Sequence, residues 1–164
     1  MKKTIRIKFF AVGGTIDKVY FDRLSTYKVG ESGCAEILQE ANVSFTYECE
    51  SILRKDSLNM TDKDRQEVFE RVSGDPDRYV VITHGTDTMI ETAQKLKAIP
   101  DKTIVLTGAM QPARFKSSDA EFNIGAAVAA VQLLPPGAYI VMNGRIFDPD
   151  KVRKNRKRNR FEKK

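Results

Sequence analysis

At 164 residues, 41% hydrophobic and 30% charged, the sequence suits one folded domain with a core of ordinary size. Its longest charge-free window, Phe122 to Gly144, is broken by Asn123, Gln132 and Pro135-Pro136-Gly137, which excludes a membrane-spanning helix. The net charge of +6 is held unevenly: residues 151–164 carry nine Lys or Arg against one Glu, whereas residues 1–150 carry 19 basic and 21 acidic residues.

The opening run, Met1-Lys2-Lys3-Thr4-Ile5-Arg6-Ile7-Lys8, alternates charged and apolar residues and lacks the apolar stretch of a secretory signal. Ile5 to Val12 predicts a strand, followed by the turn Gly13-Gly14-Thr15-Ile16. Val29 to Gly33, with two glycines, reads as a loop. Ala35 to Ala41 reads as a short helix, and Val43 to Cys49 alternates like a half-buried strand. Thr61 predicts a helix N-cap with Asp64 at the reciprocal position. That helix sets Val68, Phe69 and Val72 on one face and stops near Gly74-Asp75-Pro76. Tyr79 to Ile82 predicts a strand ending in Thr83-His84-Gly85-Thr86-Asp87-Thr88, and a helix is expected over Thr86 to Lys97. Thr103 to Thr107 is a further strand, with Gly108-Ala109-Met110-Gln111-Pro112 as its turn. An Ala-rich helix over Ser117 to Leu134 and a final short strand over Ala138 to Met142 complete the alternation.

Strands alternating with helices at this interval predict an α/β fold, a doubly wound, mostly parallel sheet with helices on both faces. Its three Gly- and Thr-bearing turns then share one edge of the sheet, where ligands bind in such folds. The globular domain is assigned to residues 1–150. Residues 151–164 read as a basic, solvated tail, with weak, non-specific nucleic-acid binding as the alternative. Cys34 and Cys49 have no metal-ligand spacing and read as free thiols in a reducing cytoplasm.

Two threonines on Gly-preceded turns suit nucleophilic chemistry on a small substrate, and an amide is the demanding case. Such an enzyme needs a nucleophile, a proton acceptor and an oxyanion stabiliser. Thr15 and Thr86 are the candidate hydroxyls, and Tyr27 and Lys154 the candidate proton acceptors. Asp87 could orient an ammonium group, and backbone N–H groups of the turns could hold an oxyanion or a carboxylate. Singly, each has a plainer role. A threonine at such a turn is most often an N-cap, Gly13-Gly14 lacks the rest of a dinucleotide fingerprint, and Lys154 sits in a basic run. His84 is the only histidine, which removes a Ser-His-Asp mechanism within one chain and leaves a structural hydrogen bond as its expected role.

Taken together, Gly13-Gly14-Thr15-Ile16, Ser25-Thr26-Tyr27-Lys28-Val29-Gly30, Asp56-Ser57-Leu58-Asn59-Met60, Thr83-His84-Gly85-Thr86-Asp87-Thr88 and Gly108-Ala109-Met110-Gln111-Pro112 occur in the order of a known family. From about Ile5 to about Lys154 the chain resembles the N-terminal domain of the bacterial-type L-asparaginase/glutaminase family. The resemblance implies a cofactor-free, cytoplasmic amidohydrolase that turns L-asparagine into L-aspartate and ammonia, with glutamine as the close alternative, working as a homo-oligomer. It implies Thr15 as the attacking hydroxyl, Tyr27 on the loop that closes over it, and Thr86, Asp87 and Lys154 as a second catalytic group. It also implies substrate binding by Gly14, Ser57, Asn59 and Ala109, with Asp87 pairing the substrate α-amino group. Two positions depart from the pattern: Leu58 stands where larger members have glutamine, and Asn59 where an acid is common. The sequence also ends where larger members continue into a second domain, from which looser substrate binding is expected. Two rival readings are an amino-acid-binding module without catalysis and a protein related to tRNA-dependent amidotransferase subunits that uses its basic segment on nucleic acid.

Overall fold

The computed structural model describes residues 4–21 and 26–164, so Met1–Lys3 of the opening run and Ser25 of the loop motif lie outside the described residues. The chain runs through β1 (Arg6–Gly13), a hairpin of β2 (Lys18–Phe21) and β3 (Thr26–Val29), α1 (Cys34–Glu40), β4 (Thr46–Lys55) and α2 (Asp62–Gly74). It continues through β5 (Tyr79–Thr83), α3 (Met89–Leu96), β6 (Thr103–Thr107), α4 (Ala120–Leu133), β7 (Gly137–Met142) and β8 (Arg145–Phe147), and closes with a second hairpin of β9 (Val152–Asn155) and β10 (Arg160–Lys163).

Six strands form the central sheet in the order β4-β1-β5-β6-β7-β8. The first five are mutually parallel and β8 is antiparallel on the β7 edge. The central strands are apolar on both faces because both are covered. Phe10, Val80, Ile82, Ile104 and Leu106 meet α2 and α3 on one face. Ile7, Phe9, Val81 and Val105 meet α1 and α4 on the other. The expected doubly wound architecture is therefore present, and α4 lies close because Ala120, Ala127 and Ala130 form its buried side. No helix among the described residues is long and apolar enough to cross a membrane.

Local chemistry explains the best-placed elements. Thr61 Oγ1 accepts from the Asp64 backbone N–H (3.2 Å) and Asp64 accepts from that of Thr61 (2.8 Å), the reciprocal cap that starts α2. Val68 and Val72 are fully buried beneath it, while Phe69 is only partly covered. Three expectations are corrected in extent. β4 begins at Thr46 and runs to Lys55, beyond the predicted Cys49, because it is an edge strand carried along by Lys8, whose ammonium pairs with Glu48 (2.8 Å) and Glu50 (2.9 Å). α3 begins at Met89 instead of Thr86, because the Thr88 hydroxyl donates to the Ser57 carbonyl and Thr86 and Asp87 bind Lys154. β7 is not the final strand.

The largest correction concerns residues 151–164, expected as a solvated tail. They fold as the β9–β10 hairpin, with Val152 and Phe161 inside the core beside Phe147 and Met142. The Phe161 N–H donates to Asn143 Oδ1 (2.8 Å), and Arg153 pairs with Glu162 across the hairpin (2.8 Å). Burying each apolar side chain stabilises by roughly 1.5–3 kcal/mol, enough to order a basic segment whose lysines and arginines, Lys154 apart, are exposed.

Candidate active site

The sheet order dictates where a cleft can open. From β1 the chain crosses to β4 past α1 on one face, and from β5 it crosses to β6 by α3 on the other. Between the carboxyl ends of β1 and β5 the connections diverge, which in open α/β sheets leaves a ligand-binding crevice. The two Thr-bearing turns stand at those two carboxyl ends.

They touch through glycine. Gly14 has φ 93°, and a Cβ there would lie 2.3 Å from Gly85 Cα; one on Gly85 would lie 2.5 Å from Ser57 Cβ. Only hydrogen at these positions lets the turns after β1, β4 and β5 close on each other. Gly14 N–H also donates to the Lys55 carbonyl (2.9 Å), fixing the first turn to the end of β4. Thr15, half-buried, and Thr86, buried, are the next residues beyond this contact, so both stand at the same edge of adjacent strands.

Lys154 reaches the crevice from β9. Its Nζ donates to Thr86 Oγ1 (2.8 Å) and to Asp87 Oδ1 (2.9 Å). The strand's alternation explains this: Val152 faces the core, and Lys154, two residues on and opposite Phe161, faces the same way. Ser57 is buried against Gly85, and its carbonyl accepts from the Thr88 hydroxyl (2.8 Å). Ala109 is buried in the turn after β6, beside Gly108, which packs on the His84 carbonyl. The structure thus brings Gly14, Thr15, Ser57, Thr86, Asp87, Lys154 and Ala109 to one edge.

Tyr27 and Asn59 stand further out. Tyr27 sits on β3 with its ring against Tyr20 (5.5 Å) and Phe115 (5.8 Å), and among the described residues its hydroxyl makes no hydrogen bond to Thr15. Asn59 is exposed. Both line a polar cleft of about 680 Å³ with Lys18, Lys28, Arg54, Lys55 and Asp56. The Lys18 ammonium (2.8 Å) holds the Asp56 carboxyl below the usual carboxylate range, with smaller contributions from the Leu58 N–H and Lys154. Sequence reasoning missed Arg156, whose Nη2 lies 3.1 Å from Asp87 Oδ1. No local signal marks it, because it stands in the turn directly after β9 and its partner lies far back in the chain.

His84 has the structural role expected of it. Burial pushes its imidazole down to about 4. Because the Gly85 carbonyl can only accept, Nδ1–H donates to it (2.8 Å), and Nε2 accepts from the Thr92 hydroxyl (2.8 Å). Asp17, beneath the β2–β3 hairpin, is pushed up to about 6 by burial, against one backbone donor, Gly33 N–H (3.2 Å). These groups act oppositely on stability. The contribution of His84 is present above its unfolded pKa of about 6.5 and is lost as pH falls toward 4. That of Asp17 is present below its unfolded value near 3.8 and is lost as pH rises through 6. Each spans roughly 3 kcal/mol, so their slopes between pH 4 and 6 nearly cancel. Asp17→Asn is expected to unmask a stability that rises by about 3 kcal/mol across that window in urea titrations. A profile as flat as the wild type's would refute the assignment.

Comparison with known proteins follows the same geometry. The family model described as "Asparaginase, N-terminal" matches residues 6–162. L-asparaginase 2 of Escherichia coli K12 is 31% identical over 159 residues, covering 90% of this chain and 46% of that protein. L-asparaginase 2 of Bacillus subtilis 168 is 33% identical over 159 residues, covering 85% and 41%. The thermostable L-asparaginase from Thermococcus kodakarensis superposes with a TM-score of 0.82 at 26% identity, over 97% of this chain and 51% of that one. The chain therefore spans about half the length of the relatives it matches.

Proposed function

This chain belongs to the asparaginase family, matching its N-terminal domain, and on that premise we propose that it hydrolyses the side-chain amide of L-asparagine to L-aspartate and ammonia. One observation carries the reading: Lys154 Nζ bridges Thr86 Oγ1 and Asp87 Oδ1 in the crevice where the Thr15 turn backs onto the Thr86 turn.

Thr15 Oγ attacks the amide carbon and forms a C–O bond, and the amide oxygen becomes an oxyanion held by backbone N–H groups of the turns. The tetrahedral intermediate collapses with cleavage of the C–N bond. Ammonia leaves with the proton released by the hydroxyl, carried by the Thr86–Lys154–Asp87 group. Water then adds to the acyl ester, the second tetrahedral intermediate collapses with cleavage of the bond between Thr15 Oγ and the acyl carbon, and a proton from that water returns to Oγ as the β-carboxylate leaves. Ser57 and the turn around it receive the substrate α-carboxylate, and Asp87 faces the α-amino group. Tyr27 and Asn59 border the entrance. Glutamine, longer by one methylene, is the nearest competitor, separated by only about 1–3 kcal/mol.

The test is ammonia release from L-asparagine by the purified chain, with L-aspartate appearing in equal amount. A trace no steeper than that of protein-free buffer removes the hydrolase reading and leaves an amino-acid-binding module.

A further inference from the structure

Asp87 is already engaged by two cations. Lys154 Nζ (2.9 Å) and Arg156 Nη2 (3.1 Å) bind the same oxygen, Oδ1. The pair leaves the trio with an excess of positive charge before any substrate arrives. In the reading above, the α-ammonium of asparagine must approach this same carboxylate. It would bring a third cation to one acceptor group, within a few ångströms of a guanidinium.

The surroundings reinforce the bias. Lys18, Lys28, Arg54 and Lys55 line the adjoining cleft, in which Asp56 is the single acid among the described lining residues; it pairs with Lys18, while Lys55 reaches out to Asp64 and Arg54 to Glu31. A ligand carrying only negative charge on its non-reacting end enters a complementary field, whereas a zwitterion adds one repulsive contact. Arg156 is well placed to set this bias. It follows β9 at the hairpin tip, its side chain 70% exposed and held at the site by the Asp87 contact.

We infer that Arg156 is a specificity-determining residue that turns the site toward side-chain amides whose neighbouring amine is absent or acylated, with succinamate as the simplest member, and away from free asparagine. This rests on the reading that Asp87 faces the substrate amine. The guanidinium takes the place of the substrate ammonium as the counter-charge of Asp87, and its outward N–H groups favour a carboxylate. Asparagine is still hydrolysed, but it must bind against, or displace, Arg156.

Succinate and L-aspartate, the two products, differ only by the ammonium group and isolate the effect from turnover. Calorimetric titration of the full chain at low ionic strength is expected to give succinate about fivefold tighter binding than L-aspartate, the upper range of one solvent-screened like-charge contact. Arg156→Gln should bring the two within about twofold, tightening aspartate and weakening succinate. Arg156→Lys should keep most of the preference, and Lys157→Gln, which removes the same charge from the next residue, should leave the ratio unchanged. The inference is overturned if wild type binds aspartate more tightly, if neither ligand saturates, or if Arg156→Gln leaves the ratio where it was. Ammonia assays with asparagine and succinamate run separately: silence on both substrates with the binding preference intact defeats the hydrolase reading and not the role of Arg156.

Discussion

Replacing Thr15 by alanine is expected to lower kcat for asparagine hydrolysis by about 10³- to 10⁴-fold, with little change in thermal stability. Loss of the hydroxyl removes the acyl ester route, and what remains is direct attack by water at an oxyanion site that is still formed. In hydrolases with a hydroxyl nucleophile the oxyanion site and substrate binding retain some catalysis over water when the nucleophile is lost, so the expected loss is large but incomplete, roughly 4–6 kcal/mol of barrier. The fold should not suffer. The position of Thr15 is dictated by Gly14 against Gly85 and by the Gly14 N–H bond to the Lys55 carbonyl, none of which involves the threonine side chain. Steady-state ammonia release together with a melting curve checks this. A variant within tenfold of wild type would transfer the nucleophile's role to Thr86, the other hydroxyl at this edge.

Lys154→Met is expected to cost about 10²- to 10³-fold in kcat. Methionine keeps much of the length and the apolar stem but donates no hydrogen bond, so Thr86 Oγ1 loses its 2.8 Å partner while Asp87 keeps Arg156. Removing a positioned proton carrier typically forfeits a factor of this size. The retained ion pair at Asp87 separates chemistry from folding, because the carboxylate is not left alone. A loss below about threefold would reduce the lysine to an ion pair that merely pins the hairpin to the body.

The parts of this fold legible in the sequence were those whose causes are local. Apolar runs over Arg6–Gly13, Tyr79–Thr83 and Thr103–Thr107 are central strands covered on both faces, and the reciprocal Thr61–Asp64 cap is complete within four residues. What escaped depends on partners distant in the chain. β4 extends through Glu50 and Lys55 because β1 lies beside it, and the β2–β3 hairpin offers alternating tyrosines with no strong turn signature. In 151–164 the nine cations masked the alternation of Val152 and Lys154 facing Phe161. The site followed the same division. Thr15, Thr86 and Asp87 stand on recognisable turns, whereas nothing local to Arg156 reveals that its neighbour is 69 positions earlier in the sequence.

The β9–β10 hairpin is a separate two-stranded sheet, joined to the body through Val152, Phe161 and a few polar contacts and not through the ladder of the central sheet. Small sheets of this size open at lower free energy than the strands they lean on. On heating or in mild denaturant, Lys154 should therefore depart while β1, β5 and β6 are still protected from hydrogen exchange. On the proposed function, hydrolysis is then expected to fail before ellipticity does, so that a mild stress would silence the molecule without dismantling it.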